Sequence, residues 1–148
     1  MVNTLAIDKI LNVREKEKKD AQQAYQQSVD YFERIATAMY TLLQKKERAE
    51  LAYEESIQEP TQIESIIEQL NYIETLSKQI ENLQRDVQLA RSEMETKQSE
   101  LTNAHVEVKK FEKIIEFRKR DYEKEEKRLE NTMMDEVSIQ QFLSCKNR

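Results

Sequence analysis

The residues that could carry chemistry in this chain are few and isolated from one another. Its 148 residues include one histidine, His105, and one cysteine, Cys145. Nucleophilic or acid–base catalysis needs several groups held together in a pocket that excludes water, and a metal needs several ligands. Neither His105 nor Cys145 has a second histidine or cysteine close by in sequence. We interpret His105 as a flank residue of a helix and Cys145 as an incidental thiol of a reducing cytosol.

The composition also argues against an enzyme. The chain contains no glycine, although glycine makes up about 7% of ordinary proteins. Sheets, tight turns and phosphate-binding loops need the dihedral angles that glycine reaches at low cost. Charged residues make up 36% of the chain, as is typical of long helices with solvated faces. We therefore expect an all-α protein without a globular core, with no catalytic activity, no cofactor, no metal and no small-molecule substrate.

The charge distribution bears on the kinds of partner. The net charge is −5, with an acidic middle and ends that lean basic. Residues 118–122 combine arginine, lysine and tyrosine, but Asp121 and Glu123 lie among them and would repel phosphates. No apolar run approaches the ~20 residues of a membrane span, and no signal peptide is evident. We expect no nucleic-acid partner, no transmembrane segment and a cytoplasmic location.

Apolar residues recur at the seven-residue spacing of a coiled coil. The first half carries two interleaved rows: Ile7, Arg14, Ala21, Ser28, Ile35, Leu42, Ala49, and Leu11, Lys18, Tyr25, Phe32, Met39, Lys46, Tyr53. The second half carries a stricter row: Ile66, Ile73, Ile80, Val87, Met94, Leu101, Val108, Ile115, Tyr122, Leu129. Its companion row is Leu76, Leu83, Ala90, Lys97, Ala104, Phe111, and this row fails at Arg118. These rows predict two helices that pack along one seam.

The two helices are separated at Pro60, which cannot continue a helix. Thr61 and Glu64 have the spacing of a capping box, which would start the second helix. The short connection favours an antiparallel hairpin, with a kinked continuous helix as the alternative. We predict one domain over residues 1–148, with helices over about 4–58 and 62–132 or longer. The turn would cover about 59–61, and residues 133–148 would form a tail that can fray.

The second helix is predicted to be longer than the first. If the turn centres near residues 59–60, the numbers of facing residues total about 119, and the first helix ends opposite Phe117. From about Arg118 onward the second helix would lack a partner within the chain. Tyr122 and Leu129 would then be uncovered, in a segment that frays, associates with a second copy or docks into another protein.

Two stretches of the chain carry a resemblance to a known family. They are LAIDKILNVREKEKKDAQQAY near the start and VEVKKFEKIIEFRKRDYEKEEKRLENTMMDEVSIQQF, with its late pair Asp135–Glu136. Both resemble the flagellar export protein FliJ family, and the likeness covers essentially the whole chain. It implies an antiparallel two-helix coiled coil, similar to the central stalk of rotary ATP synthases.

The resemblance also implies a function. The family is a non-enzymatic part of the flagellar type III export apparatus, cytoplasmic and peripherally associated with the inner face of the cell membrane. It is understood to insert its open end into the hexameric ring of the export ATPase FliI and to promote ring assembly. It also contacts the export gate protein FlhA and export chaperones. Alternatives are a structural coiled coil that homodimerises through its unpaired end, and the equivalent stalk protein of a virulence secretion system.

Candidate contact residues follow from the resemblance and from the seam. The export-gate stripe of the family matches Tyr72, Leu76, Gln79 and Leu83, although Gln79 and Leu83 depart from the types common in relatives, and Leu76 and Leu83 are also seam positions. For the ATPase ring, Arg14 and Lys18 interrupt the seam near the open end. The remaining ring candidates lie at or beyond the limit of pairing: Arg118, Lys119, Tyr122 and Leu129.

Overall fold

A computed structural model describes residues 2–146 of the chain, with side chains from Leu5 onward. It contains two helices, α1 (Val2–Gln58) and α2 (Ile63–Lys146), and no strand within that range. The helices pack against each other, and α2 is the longer, with 84 residues against 57. The predicted all-α hairpin with a longer second helix is therefore confirmed. Residues 147 and 148 of the predicted tail lie outside the described residues.

The seam of α1 is the one that the heptad rows predict. All fourteen predicted positions from Ile7 to Tyr53 are buried or half-buried, including the polar residues Arg14, Lys18, Ser28 and Lys46. In α2 the most buried side chains are those of Leu76, Ile80, Ala90, Val108 and Ile115. These also belong to the predicted rows, because a strict seven-residue spacing keeps one face of a helix against its partner.

The helices contact each other within two compact units. One unit combines α1 up to Lys18 with α2 from Asn103, and the other spans Lys19–Thr102. In the first unit, Arg14 lies over the ring of Phe111. In the second, Arg91 lies over the ring of Phe32, and Gln69 donates a hydrogen bond to Ser56. The order of these contacts along the chain shows that the helices are antiparallel.

The register of the pairing differs from the sequence prediction. The paired residue numbers total 125 for Arg14 with Phe111, 123 for Phe32 with Arg91 and 125 for Ser56 with Gln69. The sequence predicts a total of about 119, so these residues of α1 face positions about four to six residues later in α2 than predicted. The reason lies at the turn, where Ser56 accepts a hydrogen bond from Gln69, 13 positions further along the chain. The connection therefore uses the first turn of α2 as well as residues 59–62.

The predicted capping box at Thr61 and Glu64 is wrong. The first backbone hydrogen bonds of α2 end on the carbonyl of Gln62, which accepts from Ser65 N at 3.1 Å and Ile66 N at 3.3 Å. The Thr61 hydroxyl points the other way and donates to the carbonyl oxygens of Ser56 at 2.8 Å and Glu59 at 3.1 Å. Because α2 begins one residue later than the capping box requires, the Thr61 hydroxyl instead bonds a free carbonyl in the last turn of α1 and the carbonyl of Glu59 just beyond it.

Candidate functional site

The part of α2 that packs against α1 ends at Ile115. Ile115 is 9% exposed and is the last buried residue, whereas every residue from Glu116 to Lys146 is exposed. We call residues 116–146 the overhang. It is helical throughout, and charged pairs along its surface support the helix, among them Arg120 with Glu116 and Arg128 with Glu125, each at 2.6 Å. The overhang is thus a formed helix that no described part of the chain covers.

An apolar stripe runs along the overhang. Tyr122 and Leu129, which were predicted to lie uncovered, are 47% and 52% exposed. Met133 and Val137 follow Leu129 at four-residue steps and are also exposed. These positions continue the face by which Phe111 and Ile115 contact α1, since residues three, four and seven apart share one side of a helix. Met133 and Val137 were missed in the sequence, although their spacing from Leu129 was a visible signal.

The charges beside this stripe are exposed. Arg118 and Lys119 are both exposed, and neither forms an ion pair with a described residue. Hydrogen bonding to the carboxylate of Glu126, and the charge of that carboxylate, raise the pKa of Tyr122 above its usual value of 10.0. Along the overhang, the neutral phenol of Tyr122 therefore lies between two cationic side chains, Arg118 and Lys119, and the carboxylate of Glu126 one helical turn further on.

Arg14 and Lys18, the two other residues predicted to contact the ATPase ring, lie in the same compact unit as the overhang, where α1 and α2 are paired. Lys18 is half-buried in the seam. Arg14 is also half-buried, with its guanidinium carbon 5.8 Å from the centroid of the Phe111 ring and Nη1 2.9 Å from Glu17. The Nε atom of Arg14 is buried without a hydrogen-bond partner among the described atoms. The predicted set thus divides into four exposed overhang residues and two half-buried seam residues.

The predicted export-gate residues share one side of α2 but differ in their exposure to solvent. Tyr72 is 52% exposed, and Gln79, seven residues later on the same face, is exposed as well. Leu76 is 3% exposed and Leu83 is half-buried, because both lie in the seam. A partner approaching this part of α2 therefore meets Tyr72 and Gln79, and the two leucines lie beneath them.

Metal-binding clusters and membrane-spanning segments are both absent from the described part of the chain. Over residues 2–146, no group of three or more His, Cys, Asp or Glu side chains could hold a metal ion. Neither helix, as far as it is described, has a stretch long and apolar enough to cross a membrane. The exposed faces of the helices are what the structure offers to other molecules.

This fold and its uncovered face define a coiled-coil protein of the helical-hairpin class. A family model described as "Flagellar FliJ protein" matches residues 3–146. The chain is also 33% identical over 143 residues to a "Flagellar FliJ protein" of Bacillus subtilis (strain 168), with 97% of each protein covered. The chain therefore belongs to the flagellar FliJ family, which supports a role in flagellar export. No solved structure matches it.

Proposed function

We propose that this chain is a non-enzymatic component of the flagellar type III export apparatus that inserts the overhang and the adjoining paired end into the ring of the export ATPase FliI. There it promotes ring assembly and ATP hydrolysis, and it links the ring to the export gate protein FlhA and to export chaperones. It acts in the cytoplasm, peripherally associated with the export apparatus at the inner face of the cell membrane. The observation that carries the proposal is the formed, uncovered helix of residues 116–146.

The apolar stripe of the overhang can supply the binding energy. Burying a large apolar side chain completely is worth about 1.5–3 kcal/mol, so each half-exposed member of the stripe still has about 1 kcal/mol to gain. Tyr122, Leu129, Met133 and Val137 together would contribute on the order of 4 kcal/mol before the costs of association. Because the segment is already helical, less ordering entropy opposes docking than a disordered tail would lose.

The charged residues near the start of the overhang would orient the docking. Arg118 and Lys119 are exposed and unpaired with described residues, so they can meet acidic or polar loops of a ring pore. Arg14 and Lys18 contribute cations from α1 in the same unit. Such charges mainly raise the association rate and fix the orientation.

The proposed mechanism is thermodynamic linkage. A ligand that binds an assembled ring more tightly than free subunits shifts the equilibrium towards the ring. Hydrolysis then rises because more subunits are in the active assembly, and the chain itself needs no catalytic group.

The test is ATP turnover by the matched ATPase with and without this chain at micromolar concentration. The full chain should stimulate hydrolysis and ring formation, and a chain truncated after Phe117 should not. The double variant Tyr122→Ala/Leu129→Ala should lose most of the stimulation. Its matched control, Tyr40→Ala/Leu89→Ala, removes the same two types of side chain from the other unit, where both are even more exposed, and should retain the stimulation. Full stimulation by the truncated chain would refute the insertion.

For the export gate, we propose that Tyr72 and Gln79 make the direct contact and that Leu76 and Leu83 hold their backbone in place from the seam. The supporting observation is that Tyr72 and Gln79 are exposed on one face of α2. Tyr72→Ala should weaken binding to the cytoplasmic domain of FlhA, whereas Tyr40→Ala, also an exposed tyrosine, should not. Equal loss in the two variants would contradict a contact at Tyr72.

A structural homodimer is the second candidate function. It is favoured by one observation, which is that the stripe continues the seam face and so has the spacing that a second helix can cover. Light scattering separates the two candidates. A stable dimer of the full chain that becomes a monomer after truncation at Phe117, with no effect on ATP turnover, would favour self-association over ring docking.

A further inference from the structure

The end of the hairpin at the turn carries large apolar side chains on its outer surface. We call Ile57, Ile63, Ile67 and Leu70 the turn patch. All four are exposed, and Ile63 is the most exposed of them at 74%. Ile63, Ile67 and Leu70 are spaced by four and three residues, so they form one stripe on the first two turns of α2. Ile57 lies in the last turn of α1.

The seam beside this patch contains a polar contact next to the half-buried Ile66. The contact nearest the turn is a hydrogen bond from Gln69 Nε2 to Ser56 Oγ at 3.1 Å, and Gln69 Oε1 is buried without a partner among the described atoms. A turn that served only to close the hairpin would place isoleucine in the seam and glutamine in water. Here Gln69 lies in the seam next to Ile66, while the four side chains of the turn patch are exposed outside it. The side chains of the turn patch therefore do not serve the pairing of the two helices.

The charge around the patch has one sign. Residues 49–77 contain seven glutamates and no lysine, arginine or histidine. Glu50 and Glu74 pair with lysines that flank this stretch, Lys46 at 3.8 Å and Lys78 at 3.5 Å. The other five form no ion pair with a described residue: Glu54, Glu55, Glu59, Glu64 and Glu68. The patch is thus an apolar surface inside a field of uncompensated negative charge.

This negative charge determines which kinds of partner can bind the turn patch. Nucleic acids and anionic membranes would be repelled, because both present negative charge at their surface. A second copy of the chain joined turn to turn would bring fourteen glutamates together, which also opposes association. An exposed apolar patch of this kind marks a protein interaction site. We infer that the turn patch docks a basic, amphipathic segment of another protein, with apolar side chains on the isoleucines and Lys or Arg beside the glutamates.

This surface is distinct from the proposed export-gate contact. Successive residues of a helix are rotated by about 100°, which places Tyr72 and Gln79 about 120–180° around α2 from the stripe of Ile63, Ile67 and Leu70. The seam at Ile73 and Leu76 lies between the two faces. A partner on the turn patch and a partner on Tyr72 would therefore approach α2 from different sides.

The test is photo-crosslinking of the full chain in the source cells. A photoreactive amino acid replaces Ile63 in one variant and Leu89, which is similarly exposed, in the control. The crosslinked partner peptides are then identified by mass spectrometry. We expect an adduct at position 63 that exceeds the control about tenfold, because central apolar anchors dominate such interfaces. Its peptide should carry net positive charge and apolar residues at three- and four-residue spacing.

A charge variant tests the complementarity directly. Glu54→Gln/Glu59→Gln/Glu68→Gln leaves Glu64 in place, since that residue lies in the first turn of α2 and favours the helix. The adduct should fall by about tenfold in this variant. It should persist when three exposed glutamates elsewhere are neutralised, in Glu15→Gln/Glu33→Gln/Glu95→Gln.

Three outcomes would overturn the inference. They are an adduct with a second copy of this chain, an adduct with an acidic or uncharged segment, and no adduct above the control. ATP turnover distinguishes this failure from failure of the proposed function, because the charge variant leaves the overhang intact and should stimulate the ATPase as the unmodified chain does.

Discussion

The guanidinium carbon of Arg14 lies 5.8 Å from the centroid of the Phe111 ring, which puts a cation in the seam of the unit that bears the overhang. Glu17 holds Nη1 at 2.9 Å, while Nε is buried without a partner among the described atoms. A leucine would fill such a position without leaving a donor unsatisfied. The charge at this position is therefore costly to the pairing of the helices.

Replacing this charge should stabilise the hairpin. Arg14→Leu should raise the free energy of unfolding by about 0.5–1 kcal/mol, because an unsatisfied buried donor is removed and an apolar contact with Phe111 is kept. Urea unfolding followed by circular dichroism measures it. Arg48→Leu is the control, since Arg48 is exposed and should change stability little. If Arg14→Leu destabilises the chain, the contact between the cation and the Phe111 ring outweighs the cost of the unsatisfied Nε donor.

Stability should separate the two kinds of residue in the proposed export-gate stripe. Leu76→Ala should cost about 2–4 kcal/mol, because Leu76 is 3% exposed and its loss leaves a cavity. Tyr72→Ala should stay within about 0.5 kcal/mol of the unmodified chain, since Tyr72 is half exposed. Chemical denaturation of both variants provides the comparison. Similar losses in the two variants would show that Tyr72 is part of the packing.

The turn offers a test of which hydroxyl contacts matter. Thr61→Val keeps the shape of the side chain and removes its hydrogen bonds to Ser56 O and Glu59 O, so it should cost about 0.5–1 kcal/mol. Glu64→Gln should cost only a few tenths of a kcal/mol, through the helix dipole alone. Thermal unfolding distinguishes them. A larger effect at Glu64 than at Thr61 would favour the capping box after all.

Hydrogen exchange should change abruptly along α2. Amides around Val108 and Ile115 lie in the paired part and should be protected by the stability of that packing. Amides of residues 116–146 depend on local helix stability alone and should exchange far faster, since unpaired helices are marginal in water. Exchange measured by mass spectrometry on overlapping peptides resolves the boundary. Equal protection on both sides of residue 116 would mean that the overhang is covered in solution.

Acidification should weaken the overhang through Glu125. Hydrogen bonding to Arg128, and the charge of that residue, lower the pKa of Glu125 below its ordinary value of 4.5. The ion pair of Glu125 with Arg128 therefore stabilises the helix fully above pH 4.5, and this contribution is lost as the pH falls through the lowered pKa. Carboxyl and backbone NMR shifts of residues 116–146 should report the loss. In Glu125→Gln this part of the titration should be absent, and a titration that persists there would assign it to another carboxylate.

Much of the fold could be predicted because a heptad pattern states which face of each helix is covered. All fourteen positions of the two predicted rows of α1 are covered, including the polar ones, although Ser56, which contacts Gln69, was not among them. The failure of the companion row at Arg118 located the end of the covered part of α2 to within a few residues. The exposure of Tyr122 and Leu129 followed from the same rows. Local spacing is sufficient for such predictions, since a residue's side of a helix depends only on its position in the repeat.

The sequence by itself therefore determined two helices, their seam and the uncovered end of the second, and it favoured an antiparallel hairpin over a kinked helix. Only the tertiary structure decided between those two arrangements. It also decided the axial register, the hydrogen bonds of Thr61 and the polar contact between Ser56 and Gln69, with the isoleucines of the turn patch outside the seam. The physical reason is that a seven-residue repeat fixes a face but tolerates sliding along it. The offset between the helices depends on how one turn is closed, and the atoms that close it belong to both helices at once.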